Sequence, residues 1–141
     1  GCHMIICDGR ELEPLLQLEN GAACSCFIAK KTPHAARKQW IAGALTPRGT
    51  IRVDAGATAA LREGKSLLPA GVVAVDGQFD RGDLIAVEEP SGKIIGHGLS
   101  SYNATDAGKI KGHKSREIET MLGYRGRDEI IHADNLVVIE S

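Results

Sequence analysis

The sequence predicts a mostly β fold with short helices: a small mixed β-barrel, preceded by a strand-helix-strand piece of an α/β domain. Three observations predict it. Short apolar runs recur between turn signals, and 17 glycines among 141 residues supply many tight turns. Helical spacing of apolar residues appears only over short spans. The chain also changes character along a basic, polar stretch, beyond which regular alternation begins at Thr50.

The elements follow in order. Met4 to Cys7 is an apolar run ending at Asp8-Gly9, a strand closed by a turn. Between Glu11 and Glu19, Leu12, Leu15, Leu16 and Leu18 fall near one helical face, with Pro14 in the first turn. Asn20-Gly21 stops this helix as a left-handed cap. Cys24 to Ile28 reads as a second strand. A strand, a helix and a strand cannot bury two faces of a sheet, so this segment needs a partner and reads as the tail of a larger α/β domain. Lys30 to Pro47 contains two prolines and the only Trp, and Arg37 to Ile41 is expected to form a helical turn seating Trp40 against a neighbouring domain.

Beyond this junction, Ile51 and Val53 alternate in a strand. Asp54 caps a helix whose buried stripe is Ala57, Ala60 and Leu61, and Gly64 stops it. Val72 to Val75 and Leu84 to Val87 are strands; Pro90-Ser91-Gly92 turns the chain and Lys93 to Leu99 returns as the partner. Asn103 caps a helix near Thr105 to Ile110. Ser115 starts another, with Ile118, Met121 and Leu122 on one face and Gly123 as its stop. Asn135 to Ile139 closes the fold. The expected organisation is a cloning remnant over 1–4 ahead of an initiator Met, an α/β tail over 5–30, a basic linker over 31–49 and the barrel over 50–141.

A net charge of −1 gives no global case for nucleic acid. The charges are segregated along the chain, however. Six basic residues and no acid lie between Lys30 and Arg52, while five acids and one Arg lie between Asp76 and Glu89. From Lys93 to Arg127 there are seven basic residues against three acids. Such runs either build a basic face or form an ordinary solvated surface. No apolar run reaches the roughly 18 residues of a membrane span, and no secretory signal is visible, so a cytoplasmic chain with reduced Cys7, Cys24 and Cys26 is expected.

Several motifs are decoys. Gly64-Lys65-Ser66 imitates the end of a phosphate loop, but Ala59 stands where its first glycine belongs and the triplet ends a helix instead of starting one. Gly96-His97-Gly98 starts a dinucleotide fingerprint in which Ser101 replaces the third glycine, inside a strand. Cys7, Cys24 and Cys26 with His3 or His34 match no common zinc spacing. His97, His113 and His132 have no evident nucleophile to serve, and Glu88-Glu89 and Asp128-Glu129 read as solvated. No catalytic residue and no metal site is expected.

The succession Gly64 to Val72, Arg81-Gly82-Asp83 and Ile95 to Ser100 resembles the PUA domain, a small mixed β-barrel known from RNA-modifying enzymes. Tyr102-Asn103, Ile110, Gly112-His113, Ser115, Glu117-Ile118 and Leu122-Gly123-Tyr124 narrow the likeness. Together with His132, Asp134-Asn135 and the Arg37-Lys38-Gln39-Trp40-Ile41 junction, they resemble the C-terminal region of the glutamate 5-kinase family. Ile5 to Arg10 and Leu15 to Gly21 are similar to the end of that family's amino-acid kinase domain, although Cys24-Ser25-Cys26-Phe27 departs from its usual Gly-Thr-x-Phe.

The resemblance implies a parent that transfers the γ-phosphate of ATP, with Mg, to the side-chain carboxylate of L-glutamate in proline biosynthesis. It implies that the phosphate loops and glutamate-binding residues lie upstream, so this chain is expected to be a regulatory or architectural part without cofactor. Its partner is then the kinase domain of the same polypeptide, touched by Arg37, Lys38 and Trp40, in a homo-oligomeric parent with no membrane attachment. The alternative is an RNA-binding module such as that of a tRNA-modifying enzyme. Its surface is Gly64, Lys65, Ser66, Leu67, Leu68, Pro69 and Gly71, with Lys93, Lys109, Lys111 and Lys114 neutralising phosphate. Against that, the glycines and Pro69 serve equally to shape a barrel corner, and only Phe79, Tyr102 and Tyr124 offer aromatic rings in the barrel.

Overall fold

The computed structural model describes residues 2–10, 12–43 and 46–139. Gly1 of the expected remnant, Glu11 at the expected helix start, Ala44 and Leu45 of the linker, and Glu140 and Ser141 at the barrel's end lie outside the described residues, as does the side chain of His34. The chain divides into two units, one up to Arg37 and one from Lys38 onward.

In the first unit, β1 (Met4–Cys7) pairs antiparallel with β2 (Cys24–Phe27), Met4 opposite Phe27 and Cys7 opposite Cys24. Between them α1 (Pro14–Glu19) starts later than the leucine spacing predicts. Glu13 takes a left-handed φ of 57°, and Pro14 then fixes the first helical position. Its far end is as expected: Gly21, at φ 87°, lets Ala22 N–H reach the Gln17 carbonyl at 2.9 Å and close a Schellman cap. Nothing in β1, α1 or β2 is buried. Met4, Ile5, Ile6 and Phe27 are each about half exposed, and Leu15 is 77% exposed. A two-stranded hairpin with its apolar residues in water is marginal by itself.

The helix at the junction, α2 (Pro33–Gly43), exceeds the single turn expected. Thr32 caps it, its Oγ1 accepting the Ala35 N–H at 3.2 Å, and Pro33 fills the first position.

The second unit is a five-stranded sheet ordered β4-β3-β5-β6-β7. Its strands are β3 (Gly49–Val53), β4 (Val72–Gly77), β5 (Leu84–Glu88), β6 (Ile94–Leu99) and β7 (Leu136–Val138). β3 and β5 run parallel and every other pair antiparallel, so the sheet is mixed. Three helices surround it: α3 (Ala55–Arg62), α4 (Ala104–Ile110) and α5 (Ile118–Leu122), the last entered through a 3₁₀ turn at Ser115–Glu117. An isolated antiparallel bridge between Leu67 and Ile131 joins the segments leading into the two edge strands and closes the sheet on itself. Ile51, Val53, Ile85 and Val87 from the central strands meet Leu61, Ile110 and Ile118 from the helices in one core.

The charge runs of the sequence meet in space. Arg52 pairs with its cross-strand neighbour Glu88 at 3.1 Å, Arg62 with Glu89 at 3.0 Å and Arg48 with Asp83 at 3.9 Å. Two residues of the basic run, Arg48 and Arg52, and Arg62 of α3 are therefore balanced by the acidic run.

The two glycines of Gly96-His97-Gly98 are required by close packing. A Cβ at Gly96 would sit 2.6 Å from the Val137 carbonyl oxygen, and one at Gly98 would sit 2.6 Å from Ile131 Cγ2. Gly96→Ala is expected to destabilise the chain by about 1–3 kcal/mol in urea unfolding, through overpacking against β7. Gly108→Ala, in open space within α4, should instead stabilise it by about 0.5–1 kcal/mol.

Candidate functional site

The surface singled out from the sequence begins at the end of α3. Asp54 Oδ1 accepts the Ala57 N–H at 2.6 Å and sets the helix start. At the other end Gly64, at φ 81°, caps the helix: Gly64 N–H reaches the Leu61 carbonyl and Lys65 N–H the Ala60 carbonyl, both at 3.0 Å. Gly64-Lys65-Ser66 thus sits at a helix C-terminus, where the backbone dipole disfavours a phosphate. Lys65 itself pairs with Glu63 at 2.6 Å, and its ammonium holds the Glu63 carboxyl below the usual range.

The next residues serve the fold. Ser66 Oγ accepts the Ala133 N–H at 2.9 Å. Leu67, 1% exposed, donates to the Ile131 carbonyl at 2.9 Å and accepts from Ile130 N–H at 2.7 Å. Pro69 is buried and its carbonyl accepts the Gly112 N–H at 2.8 Å, which brings the 109–114 lysine segment to the same surface. Gly71 accepts the Asp54 N–H at 3.0 Å and lies so close to α3 that a Cβ would be 2.5 Å from that of Ala57. Among the candidates, Lys65, Leu68, Lys111 and Lys114 are exposed around this corner. Lys109 faces Asp106 at 3.6 Å, and Lys93 lies in the β5–β6 hairpin, its carbonyl accepting the Glu89 N–H at 3.0 Å. The amides of Gly64, Lys65, Leu67 and Gly71 all donate within the fold, which favours corner-shaping over phosphate approach for these residues.

The junction residues lie on α2. Arg37 is exposed, Lys38 half-buried and Trp40 54% exposed, whereas Ile41 beside it is 1% exposed. Trp40 and Ile41 line a cleft of about 140 Å³ with Arg48, Asp83, Leu84 and Leu99. Ile41 is seated in the second unit, and Trp40, expected to seat against a neighbouring domain, is left half exposed.

The remaining candidates form no reactive arrangement. His132 Nδ1 accepts the Asp134 N–H at 3.1 Å as a turn cap, and His113 lies 3.4 Å from Glu117. The Glu117 carboxyl is held low first by the Lys114 backbone N–H, at 3.2 Å. Cys24 and Cys26 sulfurs are 3.7 Å apart, and this contact raises the Cys24 thiol pKa. Among the described residues no group of His, Cys, Asp and Glu is placed to hold a metal.

One polar core residue escaped the sequence reading. Tyr102 is 2% exposed, and its hydroxyl donates to the Arg127 carbonyl. Gly126 packs against the same hydroxyl, leaving no room for a Cβ. Burial pushes the Tyr102 phenol up to about 12. Nearby, Tyr124 OH donates to Asp106 Oδ2 at 2.8 Å; its pKa is also raised, first by desolvation and then by that carboxylate. An isolated Tyr in a short polar stretch gives no periodic signal, so only the fold reveals its place.

The family model described as PUA domain matches residues 49–122. Glutamate 5-kinase of Paramagnetospirillum magneticum is 51% identical over 138 residues, 98% of this chain and 37% of that protein. Glutamate 5-kinase of Cereibacter sphaeroides is 54% identical over the same shares. The chain therefore spans little more than a third of the length of these relatives. A solved PUA domain from Aeropyrum pernix K1, in a tartrate complex, superposes with a TM-score of 0.44 at 28% identity, over 60% of this chain and 42% of that one.

The raised Tyr102 pKa sets a direction for alkaline stability. Between the ordinary phenol value of 10 and about 12, the unfolded chain releases the proton and the folded chain keeps it, so stability falls as pH rises through that window. Tyr102→Phe should flatten this fall when unfolding is followed from pH 9 upward. At pH 7 the same variant should lose about 1 kcal/mol with the hydrogen bond.

Proposed function

The chain belongs to the PUA domain family, and on that premise we propose that it is the non-catalytic C-terminal part of a glutamate 5-kinase. In this reading it serves the assembly or regulation of a kinase domain in the same polypeptide. The parent transfers the γ-phosphate of ATP to the side-chain carboxylate of L-glutamate in proline biosynthesis. In this reading the parent is a cytoplasmic homo-oligomer assembled through its kinase domain.

The observation that carries this reading is the unburied apolar surface of β1, α1 and β2. Ile5, Ile6, Leu15 and Phe27 stand in water on elements too few to cover them. Burial of such side chains is worth roughly 1.5–3 kcal/mol each, and the kinase domain of the same polypeptide is the natural cover. The half-exposed Trp40, with Arg37 and Lys38, extends the contact.

This chain's own residues do not fit ATP and Mg. Gly64-Lys65-Ser66 ends a helix, and no carboxylate cluster for a cation exists among the described residues. Phosphoryl transfer depends on positioning and charge stabilisation by such groups. The purified chain should therefore form no glutamyl phosphate from ATP and glutamate, and its detection would overturn the assignment. Removing 50–141 from the longer polypeptide should change its assembly, its feedback by proline or its metal dependence; a parent unchanged in all three would contradict a regulatory or architectural role.

The second reading, RNA binding, draws on one observation: Gly112 is tied to Pro69, so Lys111 and Lys114 flank the exposed Leu68 and Lys65. With Lys65 already paired to Glu63, the expected affinity for tRNA-like RNA is no tighter than the non-specific range of about 10⁻⁴–10⁻⁶ M. Fluorescence anisotropy at near-physiological salt should show this weak binding lost, and tighter, salt-resistant binding would promote the RNA reading.

A further inference from the structure

A cleft away from the predicted surface gathers positive charge. Arg81, on the turn between β4 and β5, meets Arg125 and Arg127, which follow α5, in a cleft of about 300 Å³ that Tyr102, Asn103 and Tyr124 also line. Three arginines line it, and no Asp or Glu lines it among the described residues. Arg127 lies 3.6 Å from Glu129, whereas Arg81 and Arg125 make no ion pair among the described residues. Like charge opposes bringing arginines to one cleft; Glu129 offsets Arg127, and an anion in the cleft would offset the other two.

The walls are fixed by the fold. Gly123, at φ 76°, ends α5 and turns the chain toward Tyr124. Gly126 lies against the Tyr102 ring, and the Tyr102 hydroxyl holds the Arg127 carbonyl, which locks the segment carrying Arg125 and Arg127. Tyr124 is held by its bond to Asp106, itself braced by Asn103 Nδ2 at 3.2 Å and bonded through its N–H to Asn103 Oδ1 at 2.8 Å. Arg81 is near enough to both phenols to oppose the rise in their pKa values. The Tyr124 ring remains 47% exposed beside the arginines.

We propose that this cleft binds a phosphate group, either inorganic phosphate or that of a small phosphomonoester. Guanidinium forks match phosphate oxygens two at a time, and several such forks suit a dianion better than a monocarboxylate, which one Arg satisfies. The cleft has room beyond a phosphate, with the Tyr124 ring as the wall for an attached organic group.

The test is a titration of the chain with inorganic phosphate, with glycerol phosphate and with acetate, at matched ionic strength set by chloride, following backbone amide shifts. Saturable shifts confined to Arg81-Gly82 and 124–127 are expected with the two phosphates. Tighter binding of glycerol phosphate supports a phosphomonoester as the ligand, and equal binding supports phosphate itself. Arg125→Gln and Arg81→Gln should each weaken binding roughly tenfold, as loss of one charge-assisted contact predicts, with thermal melting to verify the fold; Lys65→Gln should leave it unchanged. Absence of saturable shifts, equal affinity in both arginine variants, or acetate binding as tightly as phosphate would each overturn the site.

Discussion

The bridge between Leu67 and Ile131 is the contact on which the rest of the second unit depends. A five-stranded sheet with two open edges exposes unpaired backbone groups along both. Here the segments entering the edge strands β4 and β7 hydrogen-bond each other, and both side chains are buried to within 1%. The same short stretch serves three further purposes. Ile130 accepts the Ser101 N–H at 2.8 Å, Ile131 fills the space that Gly98 leaves, and Ser66 takes up the Ala133 amide. Truncating Leu67 would open a cavity and release the closure together, which is why the corner from Gly64 to Gly71 reads first as architecture.

Electrostatics then separates the surface into balanced and unbalanced parts. Arg48, ahead of β3, Arg52 in β3 and Arg62 in α3 pair with Asp83, Glu88 and Glu89. Exposed pairs of this kind add little stability, typically up to about 1 kcal/mol, but they remove the uniform basic face that a nucleic-acid platform needs. Arg81 and Arg125, which make no ion pair among the described residues, meet on a different part of the barrel. Function on this unit is therefore to be sought at the arginine cleft and at contacts with a larger domain.

Much of this was legible in the residues. Asp54 and Asn103 cap the helices expected of them, and Gly64 and Gly123 end theirs with positive φ, because these roles depend on local chemistry alone. Where reading fell short, the cause was a competing local signal or a long-range contact. Thr32-Pro33 starts a full helix that the basic composition concealed. Glu13, in left-handed backbone, delays a helix that leucine spacing alone placed earlier. Burial of Ile41 on the same helix gave no signal in that basic stretch, since side-chain direction on a helix is settled by what lies opposite. The arginine cleft joins residues some 40 positions apart, and no single window of sequence contains it.

We propose that the barrel is self-sufficient while the first unit is covered by further chain of a longer polypeptide. Hydrogen exchange, measured on this chain alone and on the longer polypeptide, tests it most directly. The account predicts that amides of Ile5, Ile6 and 24–27 exchange rapidly in the chain alone and become protected in the longer protein, while Leu67, Ile85 and Ile131 are equally protected in both. Equal protection of β1 and β2 in the two samples, or a barrel protected only in the longer protein, would contradict it.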